Sequence, residues 1–191
     1  MLSAERGVTL IELAIALVLL GLVLALAAPA YVTWAQNTQA RTAAEAVKNG
    51  LQLARTEALR RNKTVRFQLV DKLDASCKLS ASGPHWVVSL EPAAGKCDVA
   101  PSEDIAPRIV QKRPSAEGSA MATLKATDEA GADAASVVFD GLGRVRNADA
   151  ARRFDVAAAK GNRPLRVQLG AGGEIRLCDP AFPPGDPSGC Q

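Results

Sequence analysis

The sequence predicts an α+β protein: one long N-terminal helix, followed by an antiparallel β domain that covers the helix's second half. Three observations carry that expectation. A charge-free segment runs from Leu13 to Ala40 and is almost wholly apolar as far as Val32. Apolar residues then recur at spacings of four and three (Ala40, Ala44, Val47, Leu51, Ala54, Ala58), the stripe of an amphipathic helix. After Asn62 the period becomes two, and short apolar runs flank glycine-containing turns, as in antiparallel hairpins.

The helix divides into two halves. From Val8 to Val32 the segment is long enough to cross a bilayer core of ~30 Å at ~1.5 Å per residue. Pro29 removes one backbone donor and crowds the preceding turn, so a kink or local melting is expected there. Residues 33–62 continue as the amphipathic half. Arg41, Lys48, Arg55 and Arg61 lie between the stripe positions, and Glu57 precedes Arg61 by four residues, a supporting pair. Asn62 is the expected stop. The result is a shaft of roughly fifty residues, apolar all round at one end and one-sided at the other.

Residues 63–191 form the predicted β-rich globular domain. Val65, Phe67 and Leu69 alternate with Thr64, Arg66 and Gln68, a half-buried strand. Trp86 to Leu90 is a second strand, Ile109-Val110 a short third, and Ala122 to Ala126 a further candidate. Val137 to Phe139 and Arg144 to Arg146 flank Asp140-Gly141-Leu142-Gly143, whose glycines accept positive φ. Leu165 to Leu169 and Ile175 to Leu177 repeat that plan around Gly170-Ala171-Gly172-Gly173. Hairpins this close argue for antiparallel sheets. Their apolar face needs cover, and the helix stripe is the only large apolar surface available.

The first twelve residues are unusual for a secretory signal. Such a signal has its small-residue cleavage site behind the apolar core. Here Gly7 stands in front of it, after a six-residue leader. Cutting after Gly7 frees Val8 and keeps the apolar helix in the mature chain, leaving residues 1–7 as a removed leader. Glu12 is a carboxylate inside a would-be membrane span, where an acid costs roughly 2.5–3.5 kcal/mol on insertion scales. Its natural partner is the free Val8 amine of a neighbouring subunit.

This arrangement resembles the type IV pilin and pseudopilin family. The leader ends in Gly7, and Thr9, Leu10, Ile11 and Glu12 follow, with Val8 where the family usually has Phe. Gly21 and Pro29 match the family's helix-weakening positions. The resemblance implies cleavage between Gly7 and Val8 by prepilin peptidase, N-methylation of Val8, and an intersubunit charge role for Glu12. The Phe-Asp-Gly-x-Gly hairpin and the closing Gly-x-Ile-Arg-Leu-Cys strand are similar to the branch containing the pseudopilin GspH and the minor pilins FimU and FimT. That likeness covers most of residues 64–178 and implies a helix packed on a two-sheet β-sandwich.

Composition fits one small domain on a stalk. At 191 residues there is room for a single globular unit of roughly 120–130 residues after the helix. Aromatics are scarce and Ala abundant, so the core must be built from Val, Leu and Ala. Charge alternates along the chain: +5 over residues 41–70, −4 over 71–140 and +5 over 141–176. Such alternation suits electrostatic contact with neighbours, nucleic acid or an anionic surface, and equally a set of solvated faces.

Four cysteines allow three pairings. Local pairing joins Cys77 to Cys97 around the Trp86 strand, and Cys178 to Cys190 across a Pro-rich tail with too little apolar content to fold unaided. A loop of that size gains roughly 3 kcal/mol in the chain-entropy model. With no Cys-x-x-Cys pair and His85 as the lone histidine, neither a metal site nor a cofactor site is expected. Nor does any residue spacing select a catalytic constellation, so the protein reads as non-enzymatic.

Two functional classes follow. The first is structural: a minor pilin in the initiating or tip complex of a type IV pilus, or the related GspH-type pseudopilin of type II secretion. Its implied partners are other minor and major pilins or pseudopilins, prepilin peptidase and an inner-membrane assembly platform, with the C-terminal domain in the periplasm. The second is DNA capture in natural transformation, as in FimT-like relatives. Their Gly-Arg-x-Arg site corresponds to Gly173-Glu174-Ile175-Arg176, where Glu174 replaces the first Arg. A Gly143-Arg144-Val145-Arg146 string lies one hairpin earlier. Arg144, Arg146 and Arg176 are the candidate DNA contacts, and the structural class is favoured.

Overall fold

A computed structural model describes residues 9–183 and 185–190. Helix α1 (Leu10–Arg61) is followed by β1 (Val65–Val70), β2 (His85–Ser89), β3 (Ile109–Arg113), β4 (Ala122–Thr127), β5 (Ser136–Phe139), β6 (Arg153–Ala158), β7 (Leu165–Leu169) and β8 (Ile175–Cys178). Two antiparallel sheets of four strands result, ordered β3-β2-β1-β5 and β4-β6-β7-β8. The chain is therefore α+β, with the helix packed on two sheets.

α1 continues through Gly21 and Pro29 without interruption, so the local melting expected at Pro29 does not occur. Proline deletes a single ladder donor, while the turns on either side keep theirs. Thr33 also returns its hydroxyl to the Pro29 carbonyl at 3.2 Å. The helix stops where Asn62 turns left-handed (φ 47°, ψ 42°) and its amide bonds back to the Ala58 and Leu59 carbonyls. Glu57 holds Arg60 at 2.8 Å and Arg61 at 2.7 Å in this last turn. The Arg60 hydrogen bond, ahead of the other contributions, keeps the Glu57 carboxyl below its ordinary range.

The stripe Ala40, Ala44, Val47, Leu51, Ala54 and Ala58 is fully buried and meets strands of both sheets. Its small residues set how close the sheets come. At Gly50 an added Cβ would lie 2.7 Å from the Phe67 ring and 3.1 Å from Trp86. Phe67 stacks obliquely on Trp86 at 5.7 Å and meets Phe154 edge-on at 6.0 Å, so one β1 residue joins helix, first sheet and second sheet.

The first sheet is covered on its other side as well. Val70, Val87, Ala93 and Ile109 form a second small core with the Cys77–Cys97 disulfide. Buried Gln68 organises this cover: its amide donates to Ser89 Oγ at 2.9 Å, and its carbonyl accepts the Ala93 amide at 3.1 Å. Cys178 and Cys190 close the C-terminal tail. His85 Nδ1 accepts the Ser115 amide at 2.9 Å, and burial, partly opposed by Asp71, keeps the imidazole below its ordinary pKa.

Two parts of the β reading change. β6 lies at the centre of the second sheet, yet no strand was expected over Arg153–Ala158. Conversely, Arg144 to Arg146 is not a strand. It makes one bridge, Val145 to Phe139, on the outer edge of β5, because the Val138 amide there goes to Asn147 Oδ1 and the Val145 amide to the Ala171 carbonyl.

Substituting Gly50→Ala tests the packing at the centre of the core. Ala gains about 0.5–1 kcal/mol in helix propensity, but the intruding methyl forces Phe67 and Trp86 off their seats, costing about 1–3 kcal/mol. Denaturant unfolding of the full chain in detergent is expected to show net destabilisation. A variant as stable as wild type would mean that the aromatics do not seat on the helix at Gly50.

Candidate assembly surface

The start of α1 carries a capping box. Thr9 is the N-cap, with extended backbone (φ −79°, ψ 151°), and its hydroxyl accepts the Glu12 amide at 3.3 Å. Glu12 folds back, its Oε2 accepting from the Thr9 amide at 3.1 Å and the Thr9 hydroxyl at 2.9 Å. Two orphan donors of the first turn are satisfied reciprocally. Gly7 and Val8 lie outside the described residues.

Beyond this cap the helix is bare. Every residue from Leu10 to Val32 is exposed, and the leucines among them are each more than half accessible. Gly21 has nothing within 4 Å of where a Cβ would stand. Contiguous apolar surface of this extent exceeds what a soluble monomer shows to water and marks a membrane or protein contact. Among the described residues, this is the one helix long and apolar enough to cross a membrane.

The junction between bare and buried halves is polar and specific. The Gln36 carbonyl oxygen accepts the Lys160 amide. Asn37 Oδ1 accepts the amides of Asn162 at 2.9 Å and Arg163 at 3.2 Å, while its Nδ2 donates to Asn162 Oδ1 at 2.8 Å. Gln39 Oε1 accepts the Met121 amide at 2.9 Å. Three amide side chains thus seat the β6–β7 turn and the start of β4 on one helical turn. Sequence reasoning missed them, although the run Gln36-Asn37-Thr38-Gln39 directly after the apolar segment is a visible signal.

A second joint closes the distal end. Arg55 donates from Nε to the Gly143 carbonyl at 3.1 Å and from Nη2 to the Gly172 carbonyl at 3.5 Å. Gly143 and Gly173 both have positive φ, and a Cβ on Gly173 would strike the Gly143 carbonyl. The two glycine turns therefore touch, with one helix arginine across both.

The candidate DNA-contacting arginines fall near this joint. Arg144 is held by Asp140, with Nη2 and Nε at 3.0 and 3.1 Å from Oδ2. Asp140 also takes the Arg144 and Leu142 amides; the Arg144 amide is the main reason its carboxyl sits below the ordinary range. Arg146 is exposed, and Val145 bonds to the Ala171 carbonyl at 3.3 Å, which lays this segment beside the β7–β8 turn. Arg176 lines a shallow depression on the second sheet with Arg152 and Arg153, but Glu129 and Glu174 share it. The surface is of mixed sign. No group of three or more His, Cys, Asp or Glu among the described residues is placed to hold a metal.

Residues 43–173 match the family described as type II transport protein GspH. Residues 2–28 match the prokaryotic N-terminal methylation motif, which spans the Gly7-Val8 step and Glu12. No curated protein matches the chain. Two crystal structures of the type IV minor pilin FimU from Pseudomonas aeruginosa (strain PAO1) are similar to it. The one in space group P65 is 18% identical, with 76% of this chain and 97% of that chain covered and a TM-score of 0.46. The one in P21 is 19% identical, with 80% and 97% covered and a TM-score of 0.49.

Asn37→Ala tests the junction. It removes three hydrogen bonds and leaves the amides of the β6–β7 turn without a protein acceptor, a loss of about 1–2 kcal/mol in partly wet surroundings. Amide hydrogen exchange is expected to quicken at Asn162 and Arg163 while β1 and β2 stay protected. Unchanged exchange would show that Asn37 does not seat the turn.

Proposed function

The chain belongs to the GspH family, and from that premise we propose that it is a minor pilin of the initiating or tip complex of a type IV pilus. Proteins of this family and fold are structural pilins rather than enzymes. They are membrane-anchored and assemble with other pilins or pseudopilins. The observation that carries the proposal is the division of α1. One half is buried in its own domain, and the other presents an apolar surface on every side. A bilayer satisfies that surface before assembly, and the apolar helices of neighbouring subunits satisfy it afterwards.

In this reading prepilin peptidase removes residues 1–7 on the cytoplasmic face, and Val8 is methylated. Residues 8–32 cross the inner membrane and later enter the filament core. The globular domain waits in the periplasm, where the disulfides persist. Glu12 then exchanges its own helix cap for the Val8 amine of an adjacent subunit as an inner-membrane platform drives assembly. Placement at the tip of a pilus rests on the likeness of residues 64–178 to minor pilins of that kind and on the tail closed by Cys178 and Cys190. The family description, a type II transport protein, favours a second reading as the corresponding pseudopilin of a secretion system.

Processing is tested by intact mass and N-terminal sequencing of protein extracted from membranes. The expected mature chain begins at methylated Val8. A start near residues 28–30 would identify a secretory signal and overturn the proposal.

Glu12→Ala separates insertion from assembly. Removing the acid lifts a penalty of roughly 2.5–3.5 kcal/mol on insertion, so membrane levels should hold or rise. Recovery in sheared surface pili should fall sharply relative to wild type. Normal recovery of the variant would count against the charge pairing. Wild-type protein absent from pili, together with loss of secretion on deletion, would select the pseudopilin reading.

A further inference from the structure

The underside of the globular domain, where α1 leaves it, carries a collar of aromatic and cationic side chains. From Leu10 to Val32 the helix rises about 33 Å at ~1.5 Å per residue, close to the ~30 Å of a bilayer core. One membrane surface therefore falls near Tyr31 and Trp34. These two residues are 67% and 62% exposed, and their rings lie 5.9 Å apart on one side of the helix. Tyr and Trp are the residues that settle at the headgroup level of a bilayer.

The amide joint fixes what stands beside them. Because Gln36, Asn37 and Gln39 bind the β6–β7 turn and Met121, the domain begins within about two helical turns of Trp34, roughly 5–10 Å. The surface facing the membrane then includes Met121, 59% exposed, and Phe182 of the disulfide-closed tail, 47% exposed. Phe182 shares a groove with Ala30, Thr33 and Trp34. Lys160 and Arg163, both exposed in the β6–β7 turn, make no ion pair among the described residues. Of the charges nearby, Arg41 is paired with Glu45 at 2.8 Å, and the Asp179 carboxylate accepts the Ala181 amide at 2.8 Å.

We propose that this collar is a membrane-contact surface that takes anionic phospholipid headgroups before the subunit is assembled. Lys160 and Arg163 meet the lipid phosphates, while Tyr31, Trp34, Met121 and Phe182 enter the headgroup layer. Charge complementarity and continuity with the apolar span select this occupant. The inference rests on the reading that the bare half of α1 crosses a bilayer. It adds a second function to the domain, which docks against the membrane and must be released from it when the subunit is drawn into a filament.

The test uses the full chain in two measurements. In vesicles of phosphatidylcholine brominated near the headgroup, Trp34 emission is expected to be quenched, while Trp86, buried in the domain core, is spared. Absence of quenching would overturn the membrane-span reading and this inference with it. Native mass spectrometry of detergent-released protein then titrates phosphatidylglycerol against phosphatidylcholine. Each cation near an anionic surface contributes about fivefold, so the wild type should prefer the anionic lipid by tenfold or more. The Lys160→Gln/Arg163→Gln variant should lose that preference, and a Lys78→Gln/Lys96→Gln control, in the β1–β2 and β2–β3 loops, should keep it. If Trp34 is quenched but the Lys160/Arg163 variant retains the preference, the span reading stands and the collar is refuted. Loss of filament incorporation by that variant with lipid preference intact would reassign the surface to a subunit contact and refute the proposal equally.

Discussion

One continuous helix in two environments is the constraint on which the structure depends. The second half of α1 buries a stripe of alanines with Val47 and Leu51 against both sheets, and neither sheet has another apolar partner of that length. The first half buries nothing. Because there is no break at Pro29, the two halves are mechanically one rod. Any force on the apolar end reaches the domain core through the backbone ladder itself. The domain is a cover built around one end of the shaft, and its sheets owe their spacing to the small side chains of the stripe.

A stripe made mostly of alanines, with Gly50 beside it, fixes distance better than position, since small side chains offer little to resist sliding or rotation. Polar joints supply the register. At the proximal end, Gln36, Asn37 and Gln39 tie the helix to the β6–β7 turn and to Met121. About 24–29 Å further along, at ~1.5 Å per residue, Arg55 ties it to two glycine turns. Each joint uses backbone groups at loop ends that have no ladder partner, so the same contacts satisfy polar atoms and stop the helix from slipping. Individually they contribute about a kcal/mol; their value lies in acting at both ends of one lever.

The sequence was legible where a single period ran long enough to be read. The stripe from Ala40 to Ala58 is buried throughout, and Val65, Phe67 and Leu69 face the core as the alternation predicts, but the strand is not half-buried: the disulfide-linked cover also buries Gln68 and Val70 on its other face. β6 escaped because its neighbourhood, Ala150-Ala151-Arg152-Arg153-Phe154-Asp155-Val156-Ala157-Ala158-Ala159, is rich in a good helix former and offers only Phe154 and Val156 as large apolar markers. Tertiary burial between β4 and β7 overrides that preference. The Arg144 to Arg146 segment failed for the opposite reason. Its local pattern is good, but on the outer edge of β5 the Val138 amide goes to the Asn147 side chain and the Val145 amide to the Ala171 carbonyl, so the ladder stops at one bridge. Arg55 and Asn37 were readable as residue types and unreadable as joints, because their partners lie far along the chain.

The capping box gives the assembly problem a physical form. A carboxylate in hydrocarbon is costly unless its oxygens are occupied, and Glu12 satisfies one of them on its own Thr9. This explains how a membrane helix carries an acid at its third position without a partner chain. It also sets a condition on assembly. In the proposed assembly an incoming amine has to be a better partner than the Thr9 amide and hydroxyl together; those bonds are already charge-assisted by the carboxylate, and the amine's advantage is its own full charge, whose attraction a low dielectric strengthens. The Glu12 amide can keep its bond to the Thr9 hydroxyl while the carboxylate turns outward, so the helix start survives the exchange. On that proposal Thr9 is a holding partner, which occupies the carboxylate until the amine of an adjacent subunit takes its place.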